Sequence, residues 1–155
     1  MQNHAELTAQ VGTRLYRAPE IIFLDRNYGK PVDIWSCGVV MADLFKYICT
    51  KQAGPIFCGT HCFPISNPDG AVYLEEDNLP CTHGHVLDSI FNLIGSPNQL
   101  DMAFIDDQNA VMYLQKFKQR GAADLAHWFP GVSEQGRNLL TQMLQFNPYL
   151  RPTAE

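Results

Sequence analysis

The sequence is poor in charge, has no long apolar run and has no excess of basic side chains. Charged residues make up 17% of its 155 positions, below the ~25% usual in globular domains. That shortfall fits a surface covered by a neighbouring lobe or subunit. No apolar run nears the ~18–20 residues needed to cross a bilayer, which excludes a membrane helix. The net charge of -5 argues against a general nucleic-acid binder. Met1 to Glu6 hold neither a basic region nor an apolar stretch, so they are not a signal peptide. An even set of cysteines is missing too. The five present are scattered and read as reduced thiols of an intracellular protein, in the cytoplasm or the nucleus. Strand signals are weak, and there is no internal repeat or low-complexity tract.

What is present is mainly helical, on a chain long enough for one compact core. Residues 1–20 read as a loop-like segment. Val32, Ile34, Trp35, Val39, Val40, Met41, Leu44 and Phe45 predict a helix over about 31–48. Pro31 suits its first turn, where a missing N–H costs nothing. Apolar residues on every face predict a helix buried all round, the spine of the fold. Residues 50–84 then break the pattern with Pro55, Pro64, Pro68 and Pro80 and an acidic patch at Glu75, Glu76 and Asp77. This is a long irregular insert. A helix returns near 85–94, stopped by Gly95 and Pro97. Residues 106–118 read as helical through Val111, Met112, Leu114 and Phe117. A last helix starts after the N-cap Ser133, carries Leu139, Leu140, Met143 and Leu144 inward, and stops at Asn147-Pro148.

Two strings carry the most information. Residues 12–20 read Gly-Thr-Arg-Leu-Tyr-Arg-Ala-Pro-Glu, and residues 33–38 read Asp-Ile-Trp-Ser-Cys-Gly. The first resembles the end of a protein-kinase activation segment, and the second the start of that family's central helix. With Ile94-Gly95-Ser96-Pro97, Phe129-Pro130 and the stretch from Leu139 to Arg151, they resemble the C-terminal lobe of a eukaryotic Ser/Thr protein kinase. Arg17 before the alanine and the tail around Asn147-Pro148 are most similar to the mitogen-activated and cyclin-dependent group. The resemblance covers nearly the whole chain. It implies a mainly α fold without the N-terminal lobe, with residues 1–155 as one partial kinase domain.

The resemblance also implies roles. Glu20 and Arg151 would form a structural ion pair, a two-pronged carboxylate–guanidinium match. Read alone, both would be ordinary surface charges. Asp33 would accept backbone hydrogen bonds at the head of the central helix, or else be a plain first-turn acid. Gly12, Thr13, Arg14 and Arg17 would form the substrate pocket. A glycine at position 12 reaches positive φ freely, which in relatives turns a carbonyl away from the substrate. Proline, with no N–H to strand, is then preferred after the phosphoacceptor. Protein substrates with Ser-Pro or Thr-Pro follow, alongside regulatory protein partners and no nucleic acid or membrane. Thr8 falls on the activating phosphothreonine position, with Gln10 where a phosphotyrosine would stand, which makes Thr8 a candidate phosphosite.

The sequence contains no Gly-x-Gly-x-x-Gly, no Val-Ala-x-Lys, no His-Arg-Asp and no Asp-Phe-Gly. ATP and magnesium are therefore expected only in the intact family member, with no catalytic residue in this chain and no kinase activity from it alone. Met1 falls inside the expected activation segment, which favours a fragment of a longer gene. The alternative is a truncated, non-catalytic lobe acting as an interaction module. Cys58, His61, Cys62, Cys81, His83 and His85 lie in or beside the insert, but their spacings match no common zinc framework. No metal is expected there.

Overall fold

The structure is a computed structural model that describes residues 14–23, 28–59 and 85–155. Thr8, Gly12, Thr13 and most of the cysteine- and histidine-bearing insert lie outside the described residues. A 3-10 turn at Arg14–Tyr16 leads into α1 (Pro19–Ile22). The long α2 (Pro31–Thr50) follows. After the insert come α3 (Val86–Ile94), α4 (Gln108–Leu114), α5 (Leu125–Trp128) and α6 (Glu134–Met143), then a 3-10 turn at Pro148–Leu150. There is no β-strand among the described residues.

Local chemistry sets these boundaries. Proline occupies an opening position of both α1 and α2, where a helix has no bond for that N–H to make. The later elements start at side-chain caps. His85, Asp107, Asp124, Ser133 and Asn147 each accept a backbone N–H two or three residues ahead, satisfying donors that the helix itself cannot. Lys51, at φ 59°, closes α2 with its N–H on the Tyr47 carbonyl. Gly95 closes α3 at φ 83°, a conformation that costs a side-chain-bearing residue energy. A Cβ at Gly95 would also sit 2.8 Å from the Ala122 nitrogen.

The core forms where α2 meets α6. Trp35, Val39 and Ala42 are fully buried on one side of α2. Gly38 lets α6 approach closely: a Cβ there would lie 2.9 Å from Leu144 Cδ2 and 3.0 Å from Met143 Cβ. Phe57 stacks on Trp35, and Phe91, Phe104 and Phe23 all gather around Phe146. One hydrophobic cluster thus runs from Leu15 to Phe146.

Three sequence expectations need correction. The central helix is not buried all round. Val40, Leu44, Tyr47 and Ile48, at helical spacing, are about half exposed, at 48%, 56%, 51% and 58%. They form one stripe facing away from the core that Trp35 and Val39 enter. Leu139 is exposed at 46%, because α6 turns Leu140 and Leu144 inward instead. Met112 is likewise exposed, and α4 is shorter than the apolar pattern suggests. It ends at Leu114, where Gln115 to Phe117 make turns and Ala110 and Leu114 hold the buried positions.

Candidate functional site

The segment from Arg14 to Phe23 carries the candidate site, and it is clamped onto α2 at several points. Arg14 and Leu15 are buried and Arg17 is half-buried. The Ser36 hydroxyl makes hydrogen bonds to the Tyr16 carbonyl (3.1 Å) and to the Val32 carbonyl one turn back (3.0 Å). A mid-helix serine often bonds the i−4 carbonyl in this way; here it also grips the incoming chain. The Tyr16 hydroxyl donates to Asp43 Oδ2 at 2.8 Å, while Asp43 Oδ1 accepts the Ile56 N–H at 2.5 Å. Asp43 therefore joins the start of the described chain to the segment after α2. Lys46 adds a bond to the Pro55 carbonyl at 3.1 Å. The bond to Asp43, then burial, then the charge of Asp43 hold the Tyr16 phenol above its usual 10.0.

Four residues downstream of Tyr16, Glu20 enters the core. The structure brings it against Arg151, 131 residues away in sequence. The contacts are two-pronged: Nη1 to Oε1 at 2.6 Å and Nη2 to Oε2 at 2.7 Å. Both side chains are almost fully enclosed, at 1% and 0% exposure. Taking such a pair out of water costs several kcal/mol per ion, so only thorough hydrogen bonding makes it tolerable. That condition is met. Arg151 also donates to the carbonyls of Pro31, Gln145 and Phe146, at 2.9, 2.8 and 3.2 Å. With the two Glu20 contacts, the five N–H groups of the guanidinium all have acceptors. Its carbon sits 5.1 Å from the centre of the Trp35 ring, so the cation also lies over a π-face. One side chain thus ties α1, the head of α2 and the end of α6 together.

The other sequence candidates fall differently. Arg14 and Arg17 stand on this clamped segment, and the Arg17 N–H reaches the Arg14 carbonyl at 3.3 Å. Asp33 is exposed in the first turn of α2, and no hydrogen bond reaches its carboxylate from the described residues. Of the insert's possible metal ligands, His85 has a structural task. Its Nδ1 accepts the Leu87 N–H at 3.1 Å, and its ring packs among Tyr113 and Phe117. The backbone N–H of Cys58 bonds Ser89 Oγ at 3.0 Å. Among the described residues, no group of three or more His, Cys, Asp or Glu side chains could hold a metal ion.

Sequence reasoning passed over Asp43 and gave Ser36 no role beyond its place in the string at residues 33–38. The signal was available for the aspartate: a carboxylate inside a dense apolar helix must find donors. The arrangement as a whole can hold residues 14–22 in one rigid conformation, with two cationic side chains near its start.

Comparison with known proteins returns one consistent result. The family model described as the protein kinase domain matches residues 1–60. The mitogen-activated protein kinase mpk-1 of Caenorhabditis elegans is 32% identical over 149 residues, which is 96% of this chain and 28% of that protein. Mitogen-activated protein kinase 14 of Arabidopsis thaliana is 30% identical over 145 residues, 94% of this chain and 33% of that protein. Mitogen-activated protein kinase 2 of the same plant is also 30% identical, over 94% of this chain and 31% of its own length. The chain thus spans a third or less of the length of these relatives.

Proposed function

The chain belongs to the protein kinase family, most like its mitogen-activated members, and from that premise we propose that residues 1–155 are the C-terminal, substrate-side lobe of a proline-directed Ser/Thr kinase. The observation that supports this most is the enclosed Glu20–Arg151 pair. It fixes the segment carrying Arg14 and Arg17 to the body of the lobe, as a substrate-reading surface requires. Gly12 and Thr13 immediately precede that segment. Gly12 lies outside the described residues; in this reading the freedom of a glycine to take positive φ would let a carbonyl there turn away from the bound substrate. A residue after the phosphoacceptor that carries an N–H would then strand a donor, and proline would not. The substrates are proteins bearing Ser-Pro or Thr-Pro, and Thr8 is the position where phosphorylation would act on the loop.

ATP and magnesium supply the phosphoryl group and the charge neutralisation in the intact family member. The residues present here do not fit that pair. The sequence has none of the motifs that cradle the phosphates, and the described residues offer no metal-binding cluster. The chain by itself is therefore expected to transfer no phosphate. What it contributes to the intact enzyme is orientation: a rigid segment that sets the phosphoacceptor in line with a nucleotide held elsewhere.

Two experiments test this reading. Translation of the genomic DNA upstream of Met1 is expected to give His-Arg-Asp and Asp-Phe-Gly codons in frame, directly or across an intron. A stop codon and a promoter in that place would favour a truncated interaction module instead. Second, the purified chain is expected to phosphorylate a Ser-Pro protein substrate no faster than background. Measurable turnover would overturn the assignment of catalysis to other segments.

A further inference from the structure

A cavity of about 240 Å³ lies between the end of α3, the turn that follows it, and α6. Leu93, Ile94, Leu140, Leu144 and Phe146 give it apolar walls. Its polar side chains are unevenly disposed. The Thr141 hydroxyl already donates to the Arg137 carbonyl, that of Ser96 to the Lys118 carbonyl, and the Gln145 amide to the Thr141 carbonyl. Asp101 also lines the cavity and is the one charged residue to do so. Its Oδ2 accepts the Asn98 N–H at 2.9 Å. No Lys or Arg among the described residues lies within ion-pair distance of it. The cavity therefore offers an apolar body site and an unneutralised carboxylate, with its side-chain hydroxyl donors already committed.

We propose that this cavity binds a small organic cation, a primary ammonium on a short apolar body. The ammonium meets Asp101, where three N–H donors find a carboxylate with spare acceptor capacity. The body lies between the leucines of α3 and α6. The volume of about 240 Å³ lies just below the roughly 300 to 1,000 Å³ of ligand pockets, so the occupant is about the size of one ring with a two-carbon arm. The inference stands independently of the kinase reading, since every residue it uses lies outside the segment around Glu20.

Phenethylamine and its neutral isostere phenethyl alcohol are the probes. Each is titrated into the isotope-labelled 155-residue chain at neutral pH, with amide NMR spectra as the readout. Saturable shifts are expected at Leu93, Ala123, Thr141 and Gln145, with the ammonium binding about fivefold tighter, the upper range for a partly exposed charge pair. Asp101→Asn keeps the bond from Asn98 and is expected to bring the two affinities together by weakening the amine alone. Ala123→Phe is expected to fill the cavity and remove both. Equal affinities in the unmutated chain, a preference that survives Asp101→Asn, or no saturable shift up to roughly 10 mM, an affinity too weak for a built site, would each overturn the proposal.

Discussion

Replacing Glu20 with alanine removes one carboxylate and leaves the rest of the Arg151 environment in place. The guanidinium keeps its bonds to the Pro31, Gln145 and Phe146 carbonyls and its place over Trp35. It loses both charge-assisted contacts and its only counter-charge among the described residues. Because the Arg151 side chain is 0% exposed, water cannot take over. Breaking one side of such a pair costs about 3–5 kcal/mol, roughly a fifth or more of the ~5–15 kcal/mol that holds a typical domain. At roughly 2–4 °C per kcal/mol for a chain of this size, the melting point should fall by about 6–20 °C. Glu20→Gln, which keeps an acceptor oxygen, should cost less. Glu20→Ala combined with Arg151→Met should be less damaging than the sum of the single changes, by about 1–3 kcal/mol, because it strands no charge. Urea unfolding of the unmutated chain, the three single variants and the double variant, followed by circular dichroism, measures each quantity. A single-mutant loss under ~1 kcal/mol, or additive single changes, would mean that the pair is a solvated contact and not a tether.

Three further outcomes follow from the packing. Gly38→Ala should destabilise the chain by about 1–3 kcal/mol in urea unfolding, because the new methyl meets Leu144 and Met143 at the closest approach of α2 and α6; a neutral effect would mean that this approach is looser. Tyr16 has its proton held in the fold by Asp43, so the unfolded chain ionises first, near 10.0. The contribution is full below that pH and is lost as pH rises toward the folded-state value, so stability measured against pH should fall more steeply in the unmutated chain than in Tyr16→Phe. Leu44→Lys places charge on the exposed stripe of α2; it should shift stability by no more than ~0.5 kcal/mol and reduce binding of a hydrophobic dye, and a large stability loss would show that the stripe is covered.

The structure and the sequence agree most where one residue type has one physical use. Pro31, Ser133 and Gly95 could be read as helix punctuation because an absent N–H, a capping hydroxyl and a free φ each have few other purposes. Helix phase was harder to read. Leu139 and Leu140 are chemically alike, and which of them enters the core depends on where α2 lies, which composition does not encode. Residues 31–48 are apolar on every side, yet Val40, Leu44, Tyr47 and Ile48 stay exposed, because a pattern records what a helix could bury and not what surrounds it. In the candidate site, motif spacing pointed to Glu20 and Arg151 through family resemblance alone. Asp43 carries no motif, and its bonds to Tyr16 and to the Ile56 N–H arise only once three separate segments meet.

The most direct test of the central claim joins these 155 residues behind the ATP-binding and catalytic segments of a mitogen-activated protein kinase and measures phosphate transfer to two peptides. The peptides differ only in the residue after the acceptor serine, proline in one and alanine in the other. A stranded N–H costs about 1–3 kcal/mol, so the proline peptide should react roughly fivefold faster or more in kcat/KM. An active chimera that phosphorylates both at the same rate would contradict the assignment of this lobe to a proline-directed kinase.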